Sequence, residues 1–179
     1  MTEYVTDAEI YRRVILGAIP QARRYLWIGT SDLKDLYVAA GRAKMAPFLG
    51  TLSELAGRGV ELRLAHAKEP GPNFRRDFDR YPDLVERLEL MLCPRVHFKT
   101  VVVDGAFAYS GSANLTGAGM GAKGDGTRNF EAGFVTDDKT MVAQIIKQFD
   151  QLWLGAHCPA CRRKRFCAEY QDILGNRGS

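Results

Sequence analysis

No apolar run in the 179 residues approaches the roughly 18 needed for a membrane-spanning helix. The opening residues, MTEYVTDAEIYRR, lack the basic-then-apolar layout of a secretory leader, so a cytoplasmic protein is expected. Neither an amphipathic membrane-docking stretch nor a lipid-anchoring motif is visible, and no membrane partner is expected. Internal repeats and low-complexity segments are missing, which excludes solenoids and flexible linkers. Charge of one sign is also lacking. Lys and Arg number 25 against 21 Asp and Glu, a net +4 that permits an anionic partner without requiring one. Cysteine is scarce, at Cys93, Cys158, Cys161 and Cys167. Without a secretion signal, disulfides are a poor first explanation for these thiols.

What is present suits one α/β domain, a mixed sheet flanked by helices, with a short cysteine-bearing tail. Hydrophobic residues make up 46% of the chain, enough for a sizeable core. Thr6 to Glu9 reads as a capping box, followed by Ile10, Val14 and Ala18 at helical spacing and by Pro20 at the helix end. YLWIG reads as a buried strand with Thr30, Ser31 and Asp32 in the loop after it. A second helix is predicted to open at Pro47, turning Phe48, Leu52 and Leu55 inward, with Gly57 and Gly59 as its stop. VELRLAHA alternates as a half-buried strand, which makes His66 a hydrogen-bonded core or edge histidine. Residues 69 to 87 read as a polar excursion with a short helix near Asp83 to Arg87, and LELML as the next strand. VHFKTVVVDG and FAYSG are expected to pair as a hairpin across Asp104 and Gly105. NFEAGFVT is a further strand. Asp137 or Asp138 then caps a long helix bearing Val142, Ile145, Ile146, Phe149, Leu152 and Trp153 on one stripe, with Gly155 as its end.

Within VHFKTVVVDG, a purely structural strand has no need of His97 or Lys99. Two residues apart on a strand, they share a face. Asn129 and Glu131 repeat that relation, and Ser112 and Asn114 sit in GSANLTG, a glycine-bounded turn expected to open a helix. Eight of the 18 glycines lie between residues 105 and 133, as in a backbone of tight turns or one that approaches a ligand closely. Lys99, Ser112 and Asn114 are donors suited to phosphate oxygens. The His97 imidazole can serve as nucleophile or acid–base group. Glu131 is a candidate to orient the His97 ring, and Asp104 to hold Lys99 or brace the turn. A solvated sheet edge with unrelated polar residues is the competing explanation.

His97-Phe98-Lys99, four residues, Asp104, six residues and Gly111-Ser112-Ala113-Asn114 together resemble the His-Lys-Asp signature of the phospholipase D superfamily. The downstream NFE fits too, and the resemblance covers residues 8 to 154. It implies a phosphodiesterase that needs no metal. His97 would be nucleophile or acid, Lys99, Ser112 and Asn114 the phosphate binders, Asp104 the partner of Lys99 and Glu131 that of His97. Asn129 is a weaker substrate-binding candidate. Phe98 is bulkier than the residue usually found between the His and Lys, and is expected to pack on the opposite face. The signature occurs once, whereas cleaving members of the family use two histidines across the scissile phosphate. The resemblance therefore implies a homodimer with the site on its axis. A nuclease acting on DNA or RNA through a phosphohistidine is the first expectation. A phospholipid-cleaving enzyme and a nucleic-acid-binding module of low or no activity are the alternatives.

The chain divides into residues 1–155, the phosphodiesterase-like domain, and 156–179, the tail. Cys158 and Cys161 have metal-knuckle spacing, Cys167 follows five residues later, and Cys93 or His157 completes a set of four. Structural zinc is the expected occupant. The spacing also resembles the iron–sulfur loop of some base-excision DNA glycosylases, which makes a cluster the alternative and free thiols the third possibility. Arg162, Arg163, Lys164 and Arg165 form a basic run suited to phosphate contacts.

Overall fold

The computed structural model describes residues 1–34, 36–39 and 44–169. Strand β1 (Thr2–Thr6) leads into a helical run that starts as α1 (Ala8–Ile10), widens into a π-helix over Tyr11–Ala18 and closes in a 3-10 turn, Ile19–Gln21. Then come β2 (Tyr25–Thr30), the short strands β3 (Leu33–Lys34), β4 (Tyr37–Ala39) and β5 (Met45–Pro47), and helix α2 (Leu49–Gly57). Strand β6 (Glu61–His66) is followed by helices α3 (Pro72–Phe78) and α4 (Pro82–Arg87), then β7 (Leu88–Leu92). The C-terminal half supplies β8 (Lys99–Val103), β9 (Phe107–Gly111), β10 (Leu115–Thr116), β11 (Ala132–Thr136) and the long helix α5 (Lys139–Trp153).

Seven strands form one mixed sheet in the order β1-β11-β9-β8-β2-β6-β7. β2, β6 and β7 run parallel, and the pairings from β2 through β8, β9 and β11 to β1 are antiparallel. Alternation along the strands gives each face its own core. On one face, Leu26, Ile28, Leu62, Leu64, Val101 and Tyr109 pack with Ile10, Val14, Leu52 and Leu55 from the helices. On the other, Val102 and Ala108 meet Val142 of α5, and Ala65 and Val96 meet Phe149. Each fully buried Leu or Ile contributes roughly 1.5–3 kcal/mol, so these two layers hold the sheet rigid.

The strands YLWIG, VELRLAHA, LELML and FAYSG, and the helix carrying Val142 and Phe149, form as the sequence predicts. Asp138 is the cap of α5, its Oδ1 accepting from the Met141 N–H at 2.9 Å. Five local expectations are corrected. Thr6 is not a helix cap, because Thr2–Thr6 is recruited as an edge strand against β11, and Asp7 turns the corner with φ 48°. Pro47 ends β5 rather than opening α2, which starts at Leu49. The excursion holds a second helix, α3, whose Phe74 joins the core. GSANLTG opens no helix; Leu115–Thr116 pairs with Leu33–Lys34 instead. Finally, β8 and β11 begin at Lys99 and Ala132, so His97, Asn129 and Glu131 stand just before their strands and not on them.

The Asp104-Gly105 hairpin forms as expected. Both residues have positive φ, 54° and 69°, and the Ala106 N–H donates to the Val103 carbonyl at 3.0 Å, the backbone that an Asp-Gly turn favours. Phe98 also packs as foreseen: its ring lies against the Gly29 backbone, where any β-carbon would collide with it, and near Phe149. Among the described residues, no helix is long and apolar enough to cross a membrane.

Candidate active site

Parallel and antiparallel strands bring unrelated chain termini to one edge of the sheet. The carboxyl ends of β2 (Thr30), β6 (His66) and β9 (Gly111) lie there, beside the first residues of β8 (Lys99) and β11 (Ala132). After β7, the chain must return across β6 and β2 to reach β8. The Cys93 N–H anchors this crossing on the His66 carbonyl at 2.9 Å, and a turn from Cys93 to Val96 follows, also at 2.9 Å. Val96 is buried, Phe98 sits on Gly29, and His97 between them is exposed over the strand ends.

Lys99 is 7% exposed, and its ammonium is folded back toward His97. Nζ donates to the His97 carbonyl at 2.6 Å and stands 3.5 Å from His97 Nδ1. Burial pushes the Lys99 amine below its ordinary range, while the Glu131 carboxylate pulls the other way. With Nδ1 facing the lysine, Nε2 is the ring nitrogen left to meet a ligand.

Ser112 follows directly on β9, and its hydroxyl donates to Glu131 Oε2; the Ala132 N–H donates to the same hydroxyl at 3.1 Å. Glu131 Oε1 accepts from Asn129 Nδ2 at 3.0 Å. Asn129, Glu131 and Ser112 are therefore one connected group beside Lys99. Its role differs from the expected one: among the described residues no hydrogen bond joins Glu131 to His97, and the carboxylate orients Ser112 and Asn129 instead. The Glu131 backbone is held in turn by Asp7, whose carboxylate Oδ1 accepts from the Glu131 N–H at 2.9 Å and whose backbone N–H donates to the Glu131 carbonyl at 3.0 Å.

Asn114 Oδ1 accepts from Ser31 Oγ at 2.8 Å and from Thr30 Oγ1 at 3.3 Å. This fixes the amide with Nδ2 turned away, and no protein acceptor holds that nitrogen among the described residues. Thr30 and Ser31 are thus positioning residues that the sequence reading left in a loop. The available signal was a polar pair at the carboxyl end of a buried parallel strand, the place where open α/β sheets bind ligands. Beneath them, Tyr109 is fully buried, accepts from the Ala113 N–H at 3.4 Å, and has its phenol pushed up to about 12 by burial.

His66 is buried at the same edge. Its Nδ1 contacts the Lys68 carbonyl, Nε2 has no partner among the described residues, and burial lowers its pKa against the effect of that carbonyl.

Asp104 lies at the opposite end of β8. Its carboxylate accepts from the backbone N–H groups of Arg23, Arg24 and Tyr25 at 2.9, 2.7 and 2.9 Å. Burial works to raise this carboxyl, but the N–H groups of Tyr25, Arg24 and Arg23 outweigh it and hold the group below the usual carboxylate range. Asp104 braces the turn against the start of β2; it does not hold Lys99, because four strand residues, Thr100 to Val103, separate the two.

The tail folds back beside β7. Cys93, Cys158, Cys161, Cys167 and His157 line one cavity of about 280 Å³. Of the basic run, Arg162, Arg163 and Arg165 are exposed, and the Arg163 and Arg165 guanidiniums lie over the Phe166 ring at 5.9 and 4.4 Å. Lys164 borders the cavity.

The family model described as "Cardiolipin synthase, PLD-like domain" matches residues 15–153. No curated protein sequence matches the chain. Among solved structures, the chain is similar to Nuc from Salmonella typhimurium, a phospholipase D family member, with 16% identity and a TM-score of 0.63 over 86% of this chain and 95% of that one. NucT from Helicobacter pylori is similar at 14% identity and a TM-score of 0.60, covering 84% and 95%. TrmBL2, an archaeal chromatin protein with a novel mode of DNA binding, is similar at 14% identity and a TM-score of 0.55, covering 85% and 52%. These likenesses establish the fold, and with the family match across most of its length the chain belongs to the phospholipase D superfamily.

Proposed function

We propose that the protein is a nuclease, a phosphodiesterase that cleaves nucleic acid through a phosphohistidine on His97 at the axis of a homodimer. The observation that carries this reading is the buried Lys99 ammonium 3.5 Å from Nδ1 of the exposed His97, which leaves Nε2 as the nitrogen to meet phosphorus at the strand ends that also carry Ser112 and Asn114. Lys99 and Asn114 Nδ2 bind the non-bridging oxygens, with the Ser112 hydroxyl held close by through Glu131. Fixed cationic and amide donors supply the charge neutralisation that a divalent ion supplies in metal-dependent nucleases.

In the first step Nε2 attacks phosphorus and the bond to the leaving oxygen breaks. The twin copy's His97, protonated, gives that oxygen its proton. In the second step the same imidazole, now neutral, takes a proton from water. The oxygen of that water attacks phosphorus, the P–N bond breaks, and a phosphomonoester leaves. Each histidine returns to its starting state, so one copy cannot complete the cycle. Support for a twin comes from the single occurrence of the signature and from Phe130, which is 95% exposed between Asn129 and Glu131, where a second copy would cover it. Support for nucleic acid comes from the exposed arginines of the tail and from the DNA binding described for TrmBL2.

The decisive experiment incubates the full chain, in EDTA, with labelled single- and double-stranded DNA, RNA and phosphatidylcholine vesicles. Cleavage of nucleic acid by the wild type, and its loss in His97→Ala with salt-sensitive DNA binding retained, is the expected result. Lipid turnover without nucleic-acid cleavage transfers the same chemistry to the phospholipid reading, which the name of the family model favours. A His97→Ala protein that still cleaves places the activity elsewhere. Binding without cleavage by the wild type leaves a nucleic-acid-binding module.

A further inference from the structure

Four cysteines from two distant segments line one cavity, and the active site uses none of them. We propose that this cavity holds an iron–sulfur cluster ligated by Cys93, Cys158, Cys161 and Cys167. The family match ends at residue 153, so three of the four ligands lie outside it. The site is therefore a feature of this chain, and it stands whether or not the protein cleaves nucleic acid.

The tail is shaped as a ligand-bearing segment. A turn brings Cys161 back onto Cys158, N–H to carbonyl at 3.1 Å, and the Arg163 N–H points at Cys161 Sγ at 3.4 Å. A backbone N–H aimed at a sulfur two residues earlier stabilises a thiolate, and such bonds tune cluster potentials. Cys167 Sγ faces the Leu92 carbonyl at 4.0 Å, next to Cys93, and the Glu169 carboxylate takes the Leu92 N–H at 3.0 Å, so the far end of the loop is tied to the end of β7. Leu92, Phe98 and Leu152 give the cavity apolar walls, and Arg95 and Lys164 border it with positive charge suited to a thiolate cluster.

The room in the cavity, about 280 Å³ between the four thiols, favours several ions over one. A single zinc ion holds every sulfur at about 2.3 Å from one point, so the four must crowd within roughly 4.6 Å of each other. Among the described residues, no group of three or more His, Cys, Asp or Glu side chains is arranged to hold an ion in this way. A cluster distributes the same four thiolates over several irons, lets them stand apart and fills the space between them. Assembly takes two ferrous ions, two ferric ions and four sulfides from solution, so no electron need be gained or lost. Each thiol releases its proton as its sulfur bonds to iron.

The cluster's place gives it a structural task. Cys93 begins the crossing that delivers His97 four residues later, and its carbonyl accepts the Val96 N–H within that turn. Joining Cys93 to the tail clamps the base of that segment and tethers the run of Arg162, Arg163 and Arg165 to it. Cys158 is exposed, so the outer edge of the cluster meets solvent and oxygen.

The test is anaerobic purification of the full chain, with reconstitution by mixed ferrous and ferric iron and sulfide, followed by iron, zinc and acid-labile sulfide assay and visible spectroscopy. The expected product is brown, with about four irons and four sulfides per chain. In Cys93→Ser and Cys161→Ser, iron content should fall at least about tenfold. Trypsin should cut the Arg162–Arg165 run faster in aerobically bleached protein than in the brown form. One zinc per chain without labile sulfide overturns the proposal, as does a colourless protein with four titratable thiols. If a serine variant misfolds, the wild-type iron and sulfide content still decides the matter.

Discussion

The two ends of β8 hold their polar groups in opposite ways. At the turn, Asp104 accepts three backbone N–H groups and is saturated. At the other end Lys99 is buried with a carbonyl and a ring nitrogen as its hydrogen-bond partners and the Glu131 carboxylate near it, His97 is exposed, and the two buried side-chain atoms without a partner among the described residues, His66 Nε2 and Thr100 Oγ1, lie close by. A saturated carboxylate stabilises a fold, whereas an under-satisfied cationic edge costs stability and is free to bind. Three residues of one short motif thus divide between chemistry and architecture, although their spacing in the chain suggests a single unit.

Breaking this contrast starts with His97. His97→Ala should lower cleavage by more than about 10³-fold while leaving the urea midpoint unchanged, since the ring is exposed. An unchanged rate in that variant removes the chemical end from the comparison. Lys99→Met should lower the rate by about 10²–10³-fold and leave the midpoint equal or higher, because a poorly compensated buried charge is removed. A large fall in midpoint would instead make Lys99 a structural residue.

Asp104→Ala should show the reverse. Stability falls by about 1–3 kcal/mol in urea titration as three N–H groups lose their acceptor, and the activity of the folded fraction is kept. Loss of activity in fully folded Asp104→Ala would rejoin Asp104 to the active site. The smallest effect is a pH dependence. The Asp104 carboxyl is held low in the folded state, so its contribution is fully present above the unfolded value of about 3.9 and is lost as pH falls through the folded pKa. The difference in midpoint between the wild type and Asp104→Asn should therefore be constant at neutral pH and shrink below pH about 4. A difference that persists at acid pH contradicts the sign of the shift.

Much of the fold is legible along the chain because its cues are local. Asp104-Gly105 demands left-handed backbone, the stripe from Val142 to Trp153 has helical period, and LELML and FAYSG are short and well bounded. The misreadings share one cause. Thr6 has a capping sequence, but pairing with Thr136-bearing β11 extends its segment; Asn129 and Glu131 continue a strand-like pattern, but Asp7 holds them in a turn. The candidate site was legible in its residue types and not in its contacts. Glu131 was matched to His97 by role, yet Ser112 and Asn129 occupy it. Thr30 and Ser31, more than 80 positions from Asn114, carry no local sign of that contact.

By itself the sequence determined the alternation of strands and helices, the turn at Asp104 and the presence of one His-x-Lys pair with polar companions at Ser112 and Asn114, since all of these depend on residues within a few positions of each other. The tertiary structure alone decided that β2, β6, β8, β9 and β11 present their ends to a common edge, that His97 arrives there on a crossing segment, and that Cys93 meets the tail. Those meetings follow from strand order and direction, which are settled when two helical layers bury both faces of the sheet at once, a condition on the whole chain that no local spacing encodes.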